Sequence, residues 1–553
     1  MQDLTAFTSY DELTEEFEWE LPDEYNIAAR ILGGREHDRQ TIALIHHHED
    51  GQVETTSFWN LAVLTRRVVD YLKSRGVGRG DRVGISTPQS AETAAIHLAV
   101  YSIGAIAVPM SLIYGGDTYR HIISNSGARL VFAAAMPAQH IRGLRAELPG
   151  LDTLVVFSGD VSDGEDRFDD ALPSGSGAEL TYEPTTPLDP AMILYTSGTT
   201  GPPKGALHGH RILEAYLLTF LLFFDIDLDE ATVFWTPSDW AWVGGLLDIL
   251  LPGLALGHPV LANAERFSAE KAYSLAARHG VTHMFLAPTA LKMMAQIENP
   301  AETADLDIRV IASGGEAVAA ELHHWAQENL DAVINEFYGL TEVNHLAGSC
   351  ARLFPSKPGS MGLPYPGRTV AVIDDNGDPV APGEVGQIVV RPGDPTQMLR
   401  YWNNEEATAA RYENGWMLTG DLARLDEEGY ITFQGRNDDI ISSAGYRIGP
   451  AEIEELLVEH AAVADAAVIA KPDPVRGSIV KAVVQVASGV QANEALATEL
   501  QGLVRDRLGA YKYPREIDFT NELPKTVTGK LNRRLLTQRE EERASVEGST
   551  DAD

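Results

Sequence analysis

The sequence predicts an α/β protein in which a large N-terminal α/β region is followed by a smaller C-terminal α+β domain. Three observations support this prediction. The chain has 553 residues, whereas a single hydrophobic core stops growing at about 250–300 residues. Short β-branched runs alternate with stretches of helical periodicity, which is typical of layered α/β architecture. From about Thr369 onward the chain becomes rich in strand-forming runs instead.

The predicted elements follow in chain order. Helical periodicity over residues 60–76 places Leu61, Leu64, Val68, Val69 and Leu72 on one apolar face. Strands are predicted at 82–87, 106–111, 130–134, 153–158, 191–196, 283–288 and 310–313, and then at 370–374, 387–391, 430–434 and 481–486. Residues 450–471 read as a helix followed by an extended segment.

Composition shifts suggest where the domains meet. Residues 159–190 are rich in Asp, Ser, Gly, Glu and Pro, which predicts a surface connection. A second boundary is predicted near residues 435–439. We therefore expect an N-terminal domain over 1–435, a C-terminal domain over 436–540 and a charged tail over 541–553.

The charge balance is strongly acidic. The chain has 43 Lys plus Arg against 80 Asp plus Glu, a formal net charge of −37. Such a field repels phosphate backbones, which argues against nucleic-acid and anionic-membrane partners. The acids are spread along the chain and only ten residues are Lys. Two interpretations compete, an ordinary acidic cytosolic enzyme and a halophilic protein from a salt-loaded cytoplasm, and the scarcity of Lys favours the second.

Cysteine use and hydropathy predict a cytoplasmic protein. Cys350 is the single cysteine, so no intramolecular disulfide can form and a reducing compartment fits best. The first residues are acidic and lack an apolar segment, so no signal peptide is expected. No apolar run reaches the roughly 18 residues of a membrane span. The oligomeric state stays open.

The most informative stretch is residues 195–205, YTSGTTGPPKG. Its glycines let backbone N–H groups approach a ligand closely, and its hydroxyls and Lys204 add donors for phosphate oxygens. The spacing is not that of a Walker A loop, because Pro-Pro-Lys follows Gly201. The pattern predicts a loop that binds a nucleotide triphosphate.

This loop resembles the signature loop of the adenylate-forming superfamily, which includes acyl-CoA synthetases, peptide-synthetase adenylation domains and luciferases. Further motifs stand in the same order as in that family: 313–317 (SGGEA), 338–342 (YGLTE), 418–421 (LTGD), 435–452 (GRNDDIISSAGYRIGPAE) and 524–530 (PKTVTGK). The resemblance covers nearly the whole chain. It implies a large N-terminal α/β domain of several subdomains and a small, mobile α+β C-terminal domain.

The resemblance also implies a reaction in two halves. A carboxylate first attacks the α-phosphorus of ATP, giving an acyl-adenylate and pyrophosphate; a thiol, here coenzyme A, then displaces AMP. Transfer at phosphorus requires cations and fixed donors around the reacting group.

Residue roles follow from the motifs, again as implications of the resemblance. The loop over the β- and γ-phosphates would comprise Thr196, Ser197, Gly198, Thr199, Thr200 and Lys204. Thr341 would contact the α-phosphate and Glu342 would bind Mg²⁺, which prefers carboxylate oxygen. The adenine would be bordered by Gly314, Gly315 and Glu316, with Tyr338 stacked on it. Asp421 and Arg436 would bind the ribose.

The C-terminal motifs would act in turn. Lys530 is expected to be the catalytic cation of adenylate formation, and Asp438 the hinge of a domain rotation. After rotation, Gly445 would leave room for the pantetheine arm of coenzyme A and Arg447 would meet a phosphate.

The carboxylic acid pocket is expected to include Trp240, Trp242, Val243 and Gly339. Acetate-specific relatives resemble this region but have a Trp at the position of Gly339, so Gly339 favours a longer or bulkier acid. Trp240 and Trp242 could refill the space. A short- to medium-chain acid is the leading substrate class, and propionate, butyrate, branched acids and benzoate all stay open.

Other interpretations remain beside the leading one, an AMP-forming acyl-CoA synthetase. The alternatives are an acetyl- or propionyl-CoA synthetase, a stand-alone enzyme that loads a carrier protein, and a non-catalytic nucleotide-binding regulator. A zinc site is not expected, because Cys/His ligand spacing is absent. His46, His47 and His48 are expected in a surface loop, and His208 and His210 have no assigned role.

Overall fold

The computed structural model describes residues 3–175, 177, 179–196, 202–300, 305–439, 441–443, 446–473, 476–525 and 531–550. The chain forms two compact units. The first comprises Met1–Val370 and Arg391–Met417, and the second comprises Ala371–Val390 and Leu418–Asp553. This division assigns 371–390 and 418–435 to the second unit, whereas the sequence-based boundary at 435/436 assigns them to the N-terminal domain; that functional boundary stays a prediction.

The strands of the described residues confirm the predicted positions to within a few residues. They are β1 (Ile42–His47), β2 (Val53–Ser57), β3 (Arg82–Ser86), β4 (Ile106–Pro109), β5 (Leu130–Ala133), β6 (Thr153–Val156), β7 (Asp166–Arg167), β8 (Pro190–Thr196), β9 (Lys204–Gly209), β10 (Phe234–Trp235), β11 (Val260–Ala262), β12 (His283–Phe285), β13 (Val310–Gly314), β14 (Val333–Leu340), β15 (Asn344–Gly348), β16 (Leu363–Pro364), β17 (Val370–Ile373), β18 (Val385–Val390), β19 (Arg400–Tyr401), β20 (Tyr412–Glu413), β21 (Trp416–Leu425), β22 (Ile431–Arg436), β23 (Ile441–Ser443), β24 (Tyr446–Ile448), β25 (Val463–Asp473), β26 (Gly477–Val486) and β27 (Glu516–Thr520).

The α-helices lie between the strands. They are α1 (Tyr10–Glu16), α2 (Ile27–Leu32), α3 (Phe58–Ser74), α4 (Ala91–Ser102), α5 (Gly116–Ser126), α6 (Ala135–Gly143), α7 (Phe168–Ala171), α8 (Ile212–Phe223), α9 (Val243–Gly245), α10 (Leu251–Leu256), α11 (Ala269–His279), α12 (Pro288–Met294), α13 (Ala320–Leu330), α14 (Glu405–Ala409), α15 (Ala451–Val458), α16 (Glu494–Leu508) and α17 (Arg533–Thr550). A π-helical turn, Leu246–Leu250, joins α9 to α10. None of the described helices is long and apolar enough to cross a membrane.

Helix α3 illustrates how the sequence determines an element. The Ser57 side chain caps its first turn by accepting a hydrogen bond from the Asn60 backbone N–H, which satisfies a donor that has no partner within the helix. Its apolar face, including Leu61, Val68 and Leu72, is buried as predicted.

Two large sheets build the first unit. In one, the described strands run in the order β16-β15-β14-β13-β12-β10-β11-β1-β2, and in the other in the order β19-β9-β8-β4-β3-β5-β6-β7. The central pairs, such as β3 with β4 and β5, are parallel and buried. Parallel strands are covered by helices on both faces, which explains their continuous apolar runs. Each sheet ends in antiparallel strands that lead into the signature motifs.

The second unit combines small sheets with helices. Strands β25, β26 and β27 form one sheet, whose buried side chains pack with α15 and α16. Strands β17, β18 and β21 pair in that order, and β22 pairs with β21. The predicted mixed architecture, with a larger N-terminal and a smaller C-terminal part, is confirmed.

One local expectation was wrong. The run of histidines is not a surface loop, because His46 and His47 lie in β1, where β2 and β11 pair on either side. Pairing with both neighbours gives this polar run a regular structure. Helix α17 continues to Thr550 and so includes part of the predicted charged tail.

Candidate active site

The predicted phosphate-binding motif begins on one strand of an antiparallel pair and ends on the other. Thr196 at the end of β8 pairs with Lys204 at the start of β9, so the two residues that flank the loop lie side by side. Helix α5 supports its second half, where His121 Nε2 donates a hydrogen bond of 2.8 Å to the Pro203 carbonyl. Ser197, Gly198, Thr199 and Thr200, predicted to bind phosphate, lie outside the described residues.

The SGGEA motif begins in the last two residues of β13 and continues beyond its end. Gly314 pairs with Phe337 on β14, and a Cβ at Gly314 would lie 2.6 Å from the Phe337 ring, so only glycine fits. Gly315 has a φ of +92°, a left-handed conformation that favours glycine. Glu316 is exposed, and Tyr338 at the far end of β14 is half-buried. Close packing against Phe337 and the left-handed conformation of Gly315 therefore require both glycines at this strand end. The adenine is predicted to bind beside them.

The YGLTE motif covers the end of β14 and the first two residues of the turn to β15. Thr341, Glu342 and Val343 connect Leu340 to Asn344, and Asn344 closes the turn with a φ of +57°. Buried Asn344 is held from two sides: its Oδ1 accepts a hydrogen bond of 2.7 Å from Tyr216, and its Nδ2 donates to the Thr396 carbonyl. The hydrogen bonds of Asn344 thus hold the turn that carries Thr341 and Glu342 in place.

Glu342 is a buried carboxylate with two partners that sequence reasoning missed. Its Oε1 accepts a hydrogen bond of 2.5 Å from the Tyr401 hydroxyl and one of 2.9 Å from Arg411 Nη2. Arg411 also donates to the Tyr401 oxygen from Nε at 3.0 Å. Glu342 is 6% exposed, so this arrangement satisfies a charge that would otherwise be costly to bury.

The surroundings shift the titration of both partners. Burial, reinforced by the charge of Glu342, raises the pKa of Tyr401, which keeps the phenol protonated as a donor. Burial, the largest single effect, would lower the pKa of Arg411, but Glu342 and Tyr401 together outweigh it and the pKa is raised. In this cluster Tyr401 therefore remains a neutral donor and Arg411 a cationic one.

Lys204 reaches the same cluster from the phosphate loop. Its Nζ lies 5.6 Å from the centre of the Tyr401 ring, within the range of a cation–π interaction. Tyr401 thus contacts both the predicted phosphate lysine and the predicted metal carboxylate. The two predicted residues, 138 positions apart in the sequence, share one neighbour.

The residues present are compatible with magnesium. Mg²⁺ is commonly bound through one or two carboxylates together with substrate phosphates, and Glu342 offers a carboxylate beside the strand that begins with Lys204. The described residues contain no group of three or more His, Cys, Asp or Glu side chains that could hold a metal ion by themselves.

The predicted ribose residues face each other in the second unit. Asp421 on β21 pairs with Arg436 on β22, and Arg436 Nε lies 3.5 Å from Asp421 Oδ1. Asp421 is 7% exposed, and its backbone N–H donates to the Thr419 hydroxyl. Antiparallel pairing thus brings together a carboxylate and a guanidinium that are fifteen positions apart in the sequence.

Several predicted residues of this unit are only partly described. Asp438 lies in a short 3-10 helix, Asn437–Asp439, directly after β22, and Arg447 pairs with Ser442 in the hairpin of β23 and β24; the side chains of Asp438 and Arg447 lie outside the described parts. Gly445 and Lys530 also lie outside the described residues, so their roles stay predictions.

The predicted acid-pocket residues differ in their surroundings. Trp240 is 1% exposed, and half-buried Trp242 packs edge-on against Tyr114 at 5.7 Å. Val243 is half-buried at the start of α9. A Cβ at Gly339 would lie 2.1 Å from the Asn344 carbonyl oxygen, so the bulged pairing of β14 with β15 requires glycine there. The role of Gly339 in the acid pocket stays a prediction.

His208, one of the two histidines to which the sequence assigned no role, is a further candidate for function. It lies on β9, is 1% exposed, and its Nε2 donates a hydrogen bond of 2.8 Å to the Thr341 carbonyl. The only sequence signal was its position four residues after Lys204. For Tyr401 and Arg411, no pattern linked them to Glu342.

Comparisons with known proteins agree with this geometry. The family model described as AMP-binding enzyme matches residues 35–402, and the AMP-binding enzyme C-terminal domain matches residues 452–530. The acetyl-coenzyme A synthetase of Bacillus subtilis (strain 168) is 34% identical over 505 residues, which cover 90% of this chain and 87% of that protein.

Two further relatives widen the comparison. The mitochondrial acyl-coenzyme A synthetase ACSM4 of Rattus norvegicus is 32% identical over 543 residues, covering 95% of this chain and 92% of its own. The crystal structure of the anthranilate CoA ligase AuaEII in complex with anthranoyl-AMP matches with a TM-score of 0.84 at 28% identity, covering 95% of this chain and 99% of that one. With both family models matched in order and curated relatives that span nearly its whole length, the chain belongs to the AMP-binding enzyme family of adenylate-forming acyl-CoA ligases.

Proposed function

We propose that this enzyme is an AMP-forming acyl-CoA synthetase that activates a short- to medium-chain carboxylic acid with ATP, Mg²⁺ and coenzyme A. The observation that carries the proposal is the Glu342–Tyr401–Arg411 cluster beside Lys204 in a chain of this family. Through Tyr401, the Glu342 carboxylate is linked to β9, the strand that follows the predicted phosphate loop.

In the first half-reaction, a carboxylate oxygen of the acid attacks the α-phosphorus of ATP, and the bond from that phosphorus to the bridging oxygen of pyrophosphate breaks. Lys204 and the loop from Thr196 to Thr200 bind the departing phosphates. Thr341 contacts the α-phosphate, and Lys530 stabilises the charge that develops on it. Preorganised donors and cations supply most of the rate in such a transfer.

Glu342 would hold Mg²⁺, which neutralises phosphate charge when it is bound. Tyr401 and Arg411 keep the Glu342 carboxylate oriented through Oε1. Because the carboxylate is already ordered in its turn, little orientational freedom is lost when the nucleotide and its cation bind.

In the second half-reaction, the thiol of coenzyme A attacks the acyl carbonyl, and the bond from that carbonyl carbon to the adenylate oxygen breaks, releasing AMP. Gly445 and Arg447 would guide the coenzyme after a rotation about Asp438. Asp421 and Arg436 would retain the ribose; their ion pair across β21 and β22 supports a shared role.

The acid itself is proposed by class. The relatives named above include an acetyl-coenzyme A synthetase and an anthranilate CoA ligase, and half-buried Trp242 and Val243 offer apolar surface for a chain or ring. A loading enzyme for a carrier protein is the second candidate, since the same family chemistry ends on a protein-bound thiol. The acidic composition favours work in a salt-rich cytoplasm.

Pyrophosphate release with a panel of acids, measured with and without coenzyme A, tests the proposal. We expect acid-dependent pyrophosphate in both conditions, and multiple turnovers with acyl-CoA as product only when coenzyme A is present. Adenylate that stays bound to the enzyme despite coenzyme A, with all acids, would favour the carrier-loading alternative. Absence of pyrophosphate with every acid would support the non-catalytic regulator.

A further inference from the structure

Strand β9 follows the predicted phosphate loop in the chain, and residues on it and beside it contact the Thr341–Glu342 turn. It begins at Lys204, and its other edge pairs with β19 so that Tyr401 lies opposite Ala206. Flanking backbone bonds reinforce this pairing: Leu399 N–H donates to the Leu207 carbonyl and Trp402 N–H to the Gly205 carbonyl, both at 2.7 Å. Tyr401, the partner of Glu342, therefore lies on β19, the strand that pairs with the strand carrying Lys204.

His208 supplies a second connection from this strand, directly to the turn. Its Nε2 donates to the Thr341 carbonyl at 2.8 Å, and its Nδ1 is buried without a hydrogen-bond partner among the described residues. A carbonyl oxygen only accepts, so the proton of the neutral ring must be on Nε2. The side chain makes one directed bond, and that bond ends on the backbone of the predicted α-phosphate residue.

Burial keeps the imidazole neutral. Desolvation lowers the pKa of His208 to about 4, against the opposing effect of the hydrogen bond to Thr341. At neutral pH the ring is therefore a neutral donor with one fixed tautomer, unsuited to proton transfer at the reacting atoms. Its contribution is geometric.

We propose that His208 is a positioning residue, which holds the Thr341–Glu342 turn in register with the phosphate loop through its Nε2–H bond to the Thr341 carbonyl. The inference rests on the proposed adenylation reaction and adds a residue to it. Shifts of about 1 Å in such groups are enough to slow a reaction about 100-fold, so a link between the two binding motifs has a measurable effect.

The chain offers a matched control in His210. It lies two residues further on, is equally buried, and desolvation lowers its pKa to about 4 as well. Its Nδ1, however, accepts a hydrogen bond of 3.2 Å from the Ile27 backbone N–H, so it supports α2. Replacing His210 changes packing without touching the turn.

The experiment compares His208→Leu, His208→Gln and His210→Leu with the unmodified enzyme. Leucine keeps volume but removes the donor, whereas glutamine can place an amide N–H near the position of Nε2. Readouts are acid-dependent exchange between pyrophosphate and ATP, the Mg²⁺ concentration at half-maximal rate, ATP binding by calorimetry with and without Mg²⁺, and the melting temperature.

We expect His208→Leu to lower kcat about 10- to 100-fold, with a higher Mg²⁺ requirement and a smaller gain in ATP affinity from Mg²⁺. His208→Gln should recover most of the rate, and His210→Leu should lose stability while its kcat and Mg²⁺ requirement stay near those of the unmodified enzyme. Unchanged values in His208→Leu would overturn the proposal. So would equal losses in the leucine and glutamine variants, or an equal loss in His210→Leu.

Failure of the proposed reaction is separable from failure of this inference. An unmodified enzyme without exchange for any acid would refute adenylation, yet calorimetry still reports whether His208 supports Mg²⁺-dependent ATP binding. An active unmodified enzyme with an indifferent His208→Leu variant would refute the positioning role alone.

Discussion

Removing Arg411 tests whether the cluster around Glu342 holds the turn in place. In Arg411→Ala, a carboxylate that is 6% exposed loses its cation at 2.9 Å and keeps the Tyr401 hydroxyl. Breaking a fully buried pair costs about 3–5 kcal/mol, whereas an exposed pair contributes about 0–1 kcal/mol. The Arg411 side chain is 21% exposed and that of Glu342 8%, so we expect a loss of about 2–3 kcal/mol in the free energy of unfolding.

That loss predicts a melting temperature lower by about 3 °C, given an unfolding entropy of about 2.1 cal/mol/K per residue over the roughly 400 residues of the first unit. The assay is a double-mutant cycle with Glu342→Gln, read by thermal unfolding. Residues in direct contact couple by about 0.5–3 kcal/mol, so Arg411→Ala should cost less when Glu342 is already neutral. Additive losses in the double variant would refute the account of this cluster.

Four further predictions follow from other parts of the chain. Lys530→Ala should slow adenylate formation about 10²–10³-fold but spare thioester formation from supplied acyl-adenylate, and equal loss in both steps would exclude the assigned role. Gly339→Ala should lower kcat/KM for acetate, propionate, butyrate and hexanoate alike, because the new Cβ meets the Asn344 carbonyl oxygen at 2.1 Å; a selective shift towards acetate would instead support a wall at this position. Raising KCl from about 0.05 to 2 M should raise the melting temperature, since screening shortens the range of repulsion from about 10 Å at 0.1 M to about 3 Å at 1 M, and a flat series would refute a halophilic origin of the net charge of −37. Stability should fall as the pH is lowered from about 6.5 to 4, because burial lowers the pKa of His208 and of His210 to about 4 in the folded state while the unfolded chain takes up protons near pH 6.5; thermal melts of His210→Leu should show a weaker decline.

The sequence predicted the elements whose signal is local. Apolar runs such as 82–87 and 310–313 became β3 and β13, because a strand buried on both faces must be continuously apolar. The pairing of Asp421 with Arg436 also reflects a local signal, because antiparallel strands that follow each other in sequence are joined by short hairpins.

Features set by tertiary contacts were not predictable. Arg411 approaches Glu342 across 69 positions of sequence, and no periodicity reports such a contact. His208 was visible only as a histidine near a motif, because the acceptor that defines its role is a backbone carbonyl 133 positions away. The close approach of the Asn344 backbone to Gly339 was not visible in the sequence, because it depends on the bulged pairing of β14 with β15. His46 and His47 became part of a strand because β2 and β11 pair on both sides of β1.

The central claim, that the acid is activated as an adenylate, is tested most directly by following the acid's own oxygen. In the proposed reaction a carboxylate oxygen bonds to the α-phosphorus and stays there when the thiol breaks the acyl carbon–oxygen bond. With acid labelled with ¹⁸O in both carboxylate positions, ATP and coenzyme A, mass spectrometry should find one ¹⁸O in each AMP and none in the pyrophosphate. Label in inorganic phosphate together with ADP, or AMP without label, would contradict the account.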